Sequence, residues 1–155
     1  MTLKSDFMRT ALSQANQAFH CEEVPVGAVI THQGQIIAQA HNLCHTLKDA
    51  TAHAEILAIR LALQHFGQPF LGNCDLYVTL EPCAHCAGAI ALMRMRCIYF
   101  GAYDPKGGAV DHGARVFDHS LHKPQVIGGV LETESAALLK QFFQTRRYTQ
   151  DPPLL

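Results

Sequence analysis

Hydrophobic and polar positions divide the first half of the chain into helix and strand patterns. In residues 5–19 the apolar side chains recur at helical spacing, and Ser5 or Asp6 can cap the helix. The β-rich runs "VPVGAVI" and "QIIAQA" flank the turn "THQG" and predict a hairpin. Residues 51–67 predict a largely buried helix, with Thr51 as its cap and Gly67 as its stop.

In the second half of the chain, predicted strands and helices continue to alternate. "DLYVTL" and "CIYFGA" predict buried strands, "AHCAGAIALMRM" a helix, "QVIGGVL" a short fifth strand and "TESAALLKQFFQTRR" a closing helix. "YDPKGGAVDHG" is rich in Gly and Pro and predicts a loop. This order predicts a three-layer α/β/α domain with a mixed sheet of about five strands. We expect residues 1–155 to form one domain, with a frayed tail at 148–155.

Composition narrows the class of protein. The chain is 48% hydrophobic and 16% charged with a net charge of −1, which is typical of a soluble protein, and any nucleic-acid binding would depend on a local basic patch. No apolar run approaches the roughly 20 residues that span a membrane, and the N-terminus lacks the apolar core of a signal peptide. We therefore expect a cytoplasmic protein without membrane contact, whose six cysteines are reduced.

A C-x-x-C pair in such a setting indicates metal binding or catalysis rather than a disulfide. Cys83 and Cys86 stand three positions apart where a helix starts, so both sulfurs share one face. The helix N-terminus favours their thiolate forms, and Pro82 suits the first turn. We expect His85, between them, to point away and not to be a ligand.

His53 is the expected third ligand, because it also begins a helix that follows a β segment. Two helices that start at one edge of a sheet bring their first turns together. One His and two Cys form a catalytic zinc set with a position open for water, whereas structural zinc has four protein ligands. We expect one Zn²⁺ per chain, with Glu55 beside it as the catalytic proton shuttle. Such a group increases the reaction rate roughly 10²–10⁴-fold.

The pattern H-x-E … P-C-x-x-C resembles the signature of the zinc-dependent base deaminases and implies a cytidine-deaminase-like fold. Further segments resemble the bacterial tRNA-specific adenosine deaminases over about residues 7–147: "EVPVGAVI", "TAHAEILAIR", "DLYVTLEPC", "CAGAI", "GAYDPKGGA" and "FFQTRR". The resemblance implies conversion of adenosine to inosine at the wobble position of a tRNA anticodon. Free-base guanine deaminases share H-A-E and P-C-x-x-C, but usually carry a Gly-Gly-Pro-Phe run where this chain has "EVPVGAVI".

The resemblance also implies that Asn42, Asp104, Arg146 and Arg147 bind the substrate, an anticodon stem-loop, and that the protein is a homodimer with "CAGAIALM" in its interface. Other interpretations stay open, since Asn42 also suits a turn and the two arginines also suit a helix end. The alternative functions are a deaminase of a free base or nucleoside, such as guanine or cytosine, and a non-catalytic, zinc-stabilised RNA-binding module. The open coordination position and Glu55 argue against the last.

Overall fold

The computed structural model describes residues 3–147, so the expected fraying of 148–155 lies outside the described residues. Within them the chain forms four α-helices, five strands and one short 3₁₀-helix. These elements are, in order, α1 (Lys4–His20), β1 (Gly27–His32), β2 (Gln35–His41), α2 (Ala54–Phe66), β3 (Cys74–Leu80), α3 (Ala84–Leu92), β4 (Cys97–Ala102), the 3₁₀-helix Val116–His119, β5 (Gln125–Ile127) and α4 (Glu132–Arg147).

The sheet has the strand order β2-β1-β3-β4-β5. β1 runs antiparallel to both β2 and β3, whereas β3 pairs with β4 and β4 with β5 in parallel. β2, β3, β4 and β5 therefore all run in one direction, and their carboxyl ends meet at one edge of the sheet. This confirms the mixed five-stranded sheet, and it places the starts of α2 and α3 at that common edge.

Alternating side chains divide the core into two layers around the sheet. In β1, Ala28 and Ile30 belong to the core cluster that also contains α2 and α3 residues, whereas Val29 belongs to the cluster with Phe7 and Met8 of α1. α4 contacts α1 and β4, so α1 and α4 cover the other face of the sheet. The three-layer α/β/α architecture is confirmed.

Helix starts differ from the expected ones. α1 begins at Lys4, and Asp6 accepts a hydrogen bond from the backbone N–H of Leu3 at 3.0 Å instead of standing at the cap position. α2 begins at Ala54, three residues after Thr51. The Thr51 cap is therefore wrong, since that exposed hydroxyl donates to Asp49 at 2.7 Å within a turn.

Other boundaries follow from packing and backbone conformation. Gly67 ends α2 in the left-handed conformation at φ 62°, as expected. Leu61 is 46% exposed, so α2 is less buried than its sequence suggests. α3 ends at Leu92, before the end of its apolar run, because Arg94 turns to a positive φ of 58°. Within residues 3–147 no helix is long and apolar enough to cross a bilayer.

Candidate active site

Three potential metal ligands meet where α2 and α3 begin. His53 is the N-cap residue of α2 and Cys83 that of α3, while Cys86 lies in the first turn of α3. His53 Nδ1 lies 3.5 Å from Cys83 Sγ and 3.4 Å from Cys86 Sγ. Zinc–nitrogen bonds of about 2.0–2.1 Å and zinc–sulfur bonds of about 2.3 Å in a tetrahedron separate such atoms by about 3.5 Å. The arrangement therefore fits one zinc ion.

The protonation of the two cysteines also fits a metal site. Hydrogen bonding from the Cys86 thiol, and then from His53, lowers the pKa of Cys83 to about 3. The pKa of Cys86 is raised, first by this interaction with Cys83 and then by burial. These hydrogen bonds favour the thiolate form of Cys83, and a cation that binds both sulfurs displaces the proton of Cys86.

His85 lies closer to this site than helical spacing predicts. A ring nitrogen of His85 lies within 4.8 Å of the ligand atoms of His53 and Cys86, and the two imidazole rings pack edge to face with centroids 5.9 Å apart. The expectation that His85 points away is wrong, because it assumed regular helical spacing from Cys83, whereas Cys83 is the N-cap residue with an extended backbone. The His85 side chain is exposed, whereas Cys83 provides a thiolate at 3.5 Å, so Cys83 is the better third ligand.

Glu55 stands beside these ligands in the first turn of α2. Its side chain is buried, and it lines the same cavity as His53 and Cys83. Burial raises the pKa of Glu55, and the opposing hydrogen bonds from its own backbone N–H and from the Cys86 thiol do not cancel this effect. A carboxyl group whose pKa is moved toward neutrality can both accept and donate a proton.

Asn42 joins the end of β2 to the start of α2. Its Oδ1 accepts a hydrogen bond of 2.8 Å from the backbone N–H of Ala54, so it caps the helix from across the chain. Among residues 3–147 its Nδ2 has no hydrogen-bond partner, and Asn42 lines the cavity. The amide therefore holds α2 with its oxygen and leaves its N–H groups available in the cavity.

The cavity in front of the ligands has a volume of about 880 Å³, within the range of small-molecule sites. Asp104, a predicted substrate contact, lines this cavity together with Tyr103, Lys106 and Gly107. The sequence interpretation missed Glu23, Cys44 and His45, which also line it. Glu23 is buried and accepts hydrogen bonds from Thr46, but two adjacent Glu residues after a helix give no signal of which one is buried.

Glu81 is a further residue that the sequence interpretation missed. It precedes Pro82, lines the cavity, and accepts hydrogen bonds from the loop that follows β4. Burial raises the pKa of this carboxyl group, but the hydrogen bonds from His112 and from backbone N–H groups outweigh it and hold the pKa below its usual value. A glutamate directly after a predicted buried strand was the available signal.

Arg146 lies outside this cavity. Its guanidinium group packs 4.3 Å above the ring of Phe142 and donates a hydrogen bond to the carbonyl of Glu22. Arg146 borders a shallower depression of about 370 Å³, and His45 lines both this depression and the main cavity. The backbone of Arg147 ends α4, and its side chain lies outside the described part of the chain.

Comparison with known proteins relates this site to one family. Residues 1–102 match the family model of the cytidine and deoxycytidylate deaminase zinc-binding region. A tRNA-specific adenosine deaminase of Agrobacterium fabrum is 48% identical over 149 residues, which cover 95% of this chain and 98% of that protein. The tRNA-specific adenosine deaminase of Bacillus subtilis is 42% identical over 149 residues, which cover 95% of this chain and 92% of that protein.

Solved structures show the same fold. One from a study of A-to-I editing by tRNA:A34 deaminases at the wobble position of transfer RNA has a TM-score of 0.86 and 48% identity, covering 87% of this chain and 99% of that one. A guanine deaminase from Nitrosomonas europaea has a TM-score of 0.81 but 22% identity, covering 92% of this chain and 85% of that one. At this identity the second likeness shows the fold alone.

Proposed function

The chain belongs to the family of the tRNA-specific adenosine deaminases, and from this membership we propose how its own residues convert adenosine to inosine in tRNA. It is a zinc-dependent hydrolase. The observation that carries the mechanism is the buried carboxylate of Glu55 beside His53, Cys83 and Cys86 in one cavity. We assign these last three side chains as the ligands of one zinc ion per chain.

Zinc in such a ligand set supplies Lewis acidity that makes water a nucleophile near neutral pH. Glu55 accepts a proton from that water and delivers it to N1 of the adenine base. The remaining proton of the oxygen added at C6 then passes through Glu55 to the amino group, which leaves as ammonia, and the oxygen stays on C6 as a carbonyl. One carboxylate serves several transfers, which its raised pKa and its burial favour.

The cavity has room to orient a base that has left its stack. Asn42 offers N–H donors to acceptor atoms of the target nucleoside, and its position is fixed by the hydrogen bond to Ala54. Asp104 and Lys106 also line the cavity, and we assign them to contacts with the strand on either side of the target. Holding the base extruded draws on binding energy from these flanking contacts.

The RNA partner in this proposal is an anticodon stem-loop. Its path continues from the cavity across His45 to the depression beside Arg146, and Arg147 follows at the end of α4. Arg146 already packs on Phe142, so its guanidinium is held in a fixed position for a phosphate.

The proposal includes a homodimer in the cytoplasm. The outer side of α3 carries small residues together with Leu92, which is 71% exposed. Burying such a side chain against a second copy stabilises the dimer by roughly 1.5–3 kcal/mol. Measurement of the mass in solution, with Leu92→Glu as the disrupting variant, tests this part: a monomeric wild-type protein would contradict it.

A comparison of substrates tests the function itself. The protein is incubated separately with an anticodon stem-loop, free adenosine, guanine and cytosine, and the products are separated by chromatography. We expect inosine in the stem-loop at a far higher kcat/KM than with free adenosine. Efficient deamination of free guanine or cytosine, with the stem-loop unmodified, would overturn the assigned substrate while leaving the zinc chemistry in place.

A further inference from the structure

Glu81 combines complete burial with a position next to the metal-binding helix. It follows β3 and stands two residues before Cys83. The residue is 2% exposed, and its side chain is fully inaccessible. A carboxylate taken out of water in this way is costly unless hydrogen bonds replace its hydration. Its partners therefore show what it stabilises.

All the hydrogen bonds that Glu81 accepts come from one loop, residues 103–112. Oε1 accepts from the backbone N–H of Asp104 at 3.1 Å and from Nδ1 of His112 at 2.7 Å. Oε2 accepts from three successive backbone N–H groups at 3.1–3.2 Å, those of residues 110, 111 and 112. Five donors around one carboxylate fix the loop at both of its ends, since hydrogen bonds to an ionised acceptor are about twice as strong as neutral ones.

The loop between these anchor points forms part of the wall of the active-site cavity. Tyr103, Asp104, Lys106 and Gly107 line the cavity together with His53 and Cys83. The fit is tight at Gly108, where a Cβ atom would lie 2.5 Å from the Glu81 carboxyl group. The backbone adds one more connection, because the N–H of Ala109 donates to the carbonyl of Pro82 at 2.9 Å. The position of this wall is thus set relative to the segment that carries Cys83.

We propose that Glu81 is a positioning residue that fixes the 103–112 loop against the zinc-binding segment and thereby determines the preference for an RNA strand over a free nucleoside. This inference rests on the proposed function. A free nucleoside needs only the ligand side of the cavity and Asn42. An RNA strand also contacts the loop, so it alone loses binding energy when the loop is displaced.

The test variant is Glu81→Gln, which keeps the shape but replaces one acceptor oxygen with an NH₂ group. In either amide orientation this NH₂ faces at least one backbone N–H donor, so at least one hydrogen bond is replaced by a donor–donor contact. We expect KM for the stem-loop to rise about 10- to 100-fold. Zinc content, kcat at saturation and kcat/KM for free adenosine should stay close to wild type. Hydrogen exchange should accelerate at the amides of Asp104 and of residues 110–112.

The matched control is Glu134→Gln, an exposed carboxylate in α4 that should leave every readout unchanged. His112→Ala is the milder second variant, because it removes one of the five donors and leaves the backbone bonds. It should raise the stem-loop KM by a few-fold, and it decides the question if Glu81→Gln does not fold.

A wild-type KM for the stem-loop in the folded variants, or an equal loss of kcat/KM for free adenosine, would overturn the role of Glu81 in substrate choice. A wild-type protein that does not modify the stem-loop would instead overturn the proposed function. Hydrogen exchange separates the two cases, since unchanged exchange in residues 103–112 contradicts the positioning role whatever the substrate is.

Discussion

Single side chains in this protein derive their chemistry from burial. Glu55 and Tyr77 are both almost inaccessible, and burial is the main cause of the raised pKa of each. In the cavity this keeps a carboxyl group able to exchange protons. On the other face of the sheet, burial keeps the phenol of Tyr77 neutral. Its ring stacks on Tyr99 with centroids 4.4 Å apart.

Replacement of Glu55 by Gln should separate metal binding from catalysis. The amide cannot transfer protons, so deamination should fall by at least about 10²–10⁴-fold. Zinc content, measured by atomic absorption, should remain near one per chain because Glu55 is not a ligand. Glu134→Gln serves as the matched control on an exposed carboxylate. Near-normal turnover of the Glu55→Gln protein would contradict the shuttle role.

Tyr77 should make stability depend on pH in the alkaline range. Burial raises its pKa to about 12, whereas the unfolded value is about 10. Because the folded state disfavours the phenolate, the contribution of Tyr77 to the free energy of unfolding is fully present below about pH 10. It is lost as pH rises toward 12. Urea unfolding at a series of pH values should show this decline. Tyr77→Phe should reduce its slope, and an identical slope in the variant would count against the assignment.

At the scale of elements, close approach between helices and strands places the ligands. α1 crosses β1 directly over Gly27, where a side chain would overlap the backbone of Ala11. β1 pairs with β3, and β3 leads to Cys83. The packing of α1 therefore contributes to the position of the metal site although α1 provides no ligand.

Gly27→Ala should destabilise the fold. The added methyl group would overlap the carbonyl oxygen of Ala11 and lie 2.6 Å from the backbone nitrogen of Ala15, neither of which is the flexible end of a side chain. We expect a loss of about 1–3 kcal/mol or more in the free energy of unfolding, measured with urea. Gly72→Ala is the control, since its nearest neighbour would lie at an ordinary 3.7 Å. Equal stability of the two variants would contradict this account.

At the scale of the whole molecule, the proposed zinc ion connects two helices that follow different strands. His53 precedes α2 after β2, and Cys83 and Cys86 start α3 after β3. An ion that bridges two elements in the folded state alone adds its binding free energy to the stability of the fold.

Removal of zinc should therefore lower Tm. A chelator should lower the Tm of the wild-type protein in calorimetry, and Cys86→Ala should show a similarly low Tm with or without the chelator. Cys97→Ala, a buried cysteine outside the metal site, is the control for loss of a core thiol and should still respond to the chelator. Full zinc occupancy in the Cys86→Ala protein would overturn the ligand assignment.

The overall charge makes a prediction about RNA binding. With a net charge of −1, attraction to RNA depends on a few local cations. The affinity for the stem-loop should fall with added salt, but less steeply than for a protein that makes about 6–10 phosphate contacts. Titrations at several salt concentrations give the slope of log affinity against log salt concentration. A slope as steep as that of a protein with about 6–10 phosphate contacts would show a broader basic surface.

The sequence by itself determined the elements, the sheet type and which residues we propose as zinc ligands. These features depend on spacing along the chain, because helix and strand periodicity is local and a three-residue interval fixes the relation of Cys83 to Cys86. The order of strands and helices placed His53 at the same edge as the cysteines, and the structure brings its Nδ1 within 3.4–3.5 Å of both sulfurs.

Only the tertiary structure decided how these residues are held. Asn42 caps α2 from 12 positions away, where the sequence indicated Thr51, and Glu81 binds His112 across 31 positions. Arg146 donates a hydrogen bond to the carbonyl of Glu22 across 124 positions, which no helical pattern shows. A buried polar group takes whichever donor the fold brings within reach, and that donor is set by the packing of distant segments rather than by local periodicity.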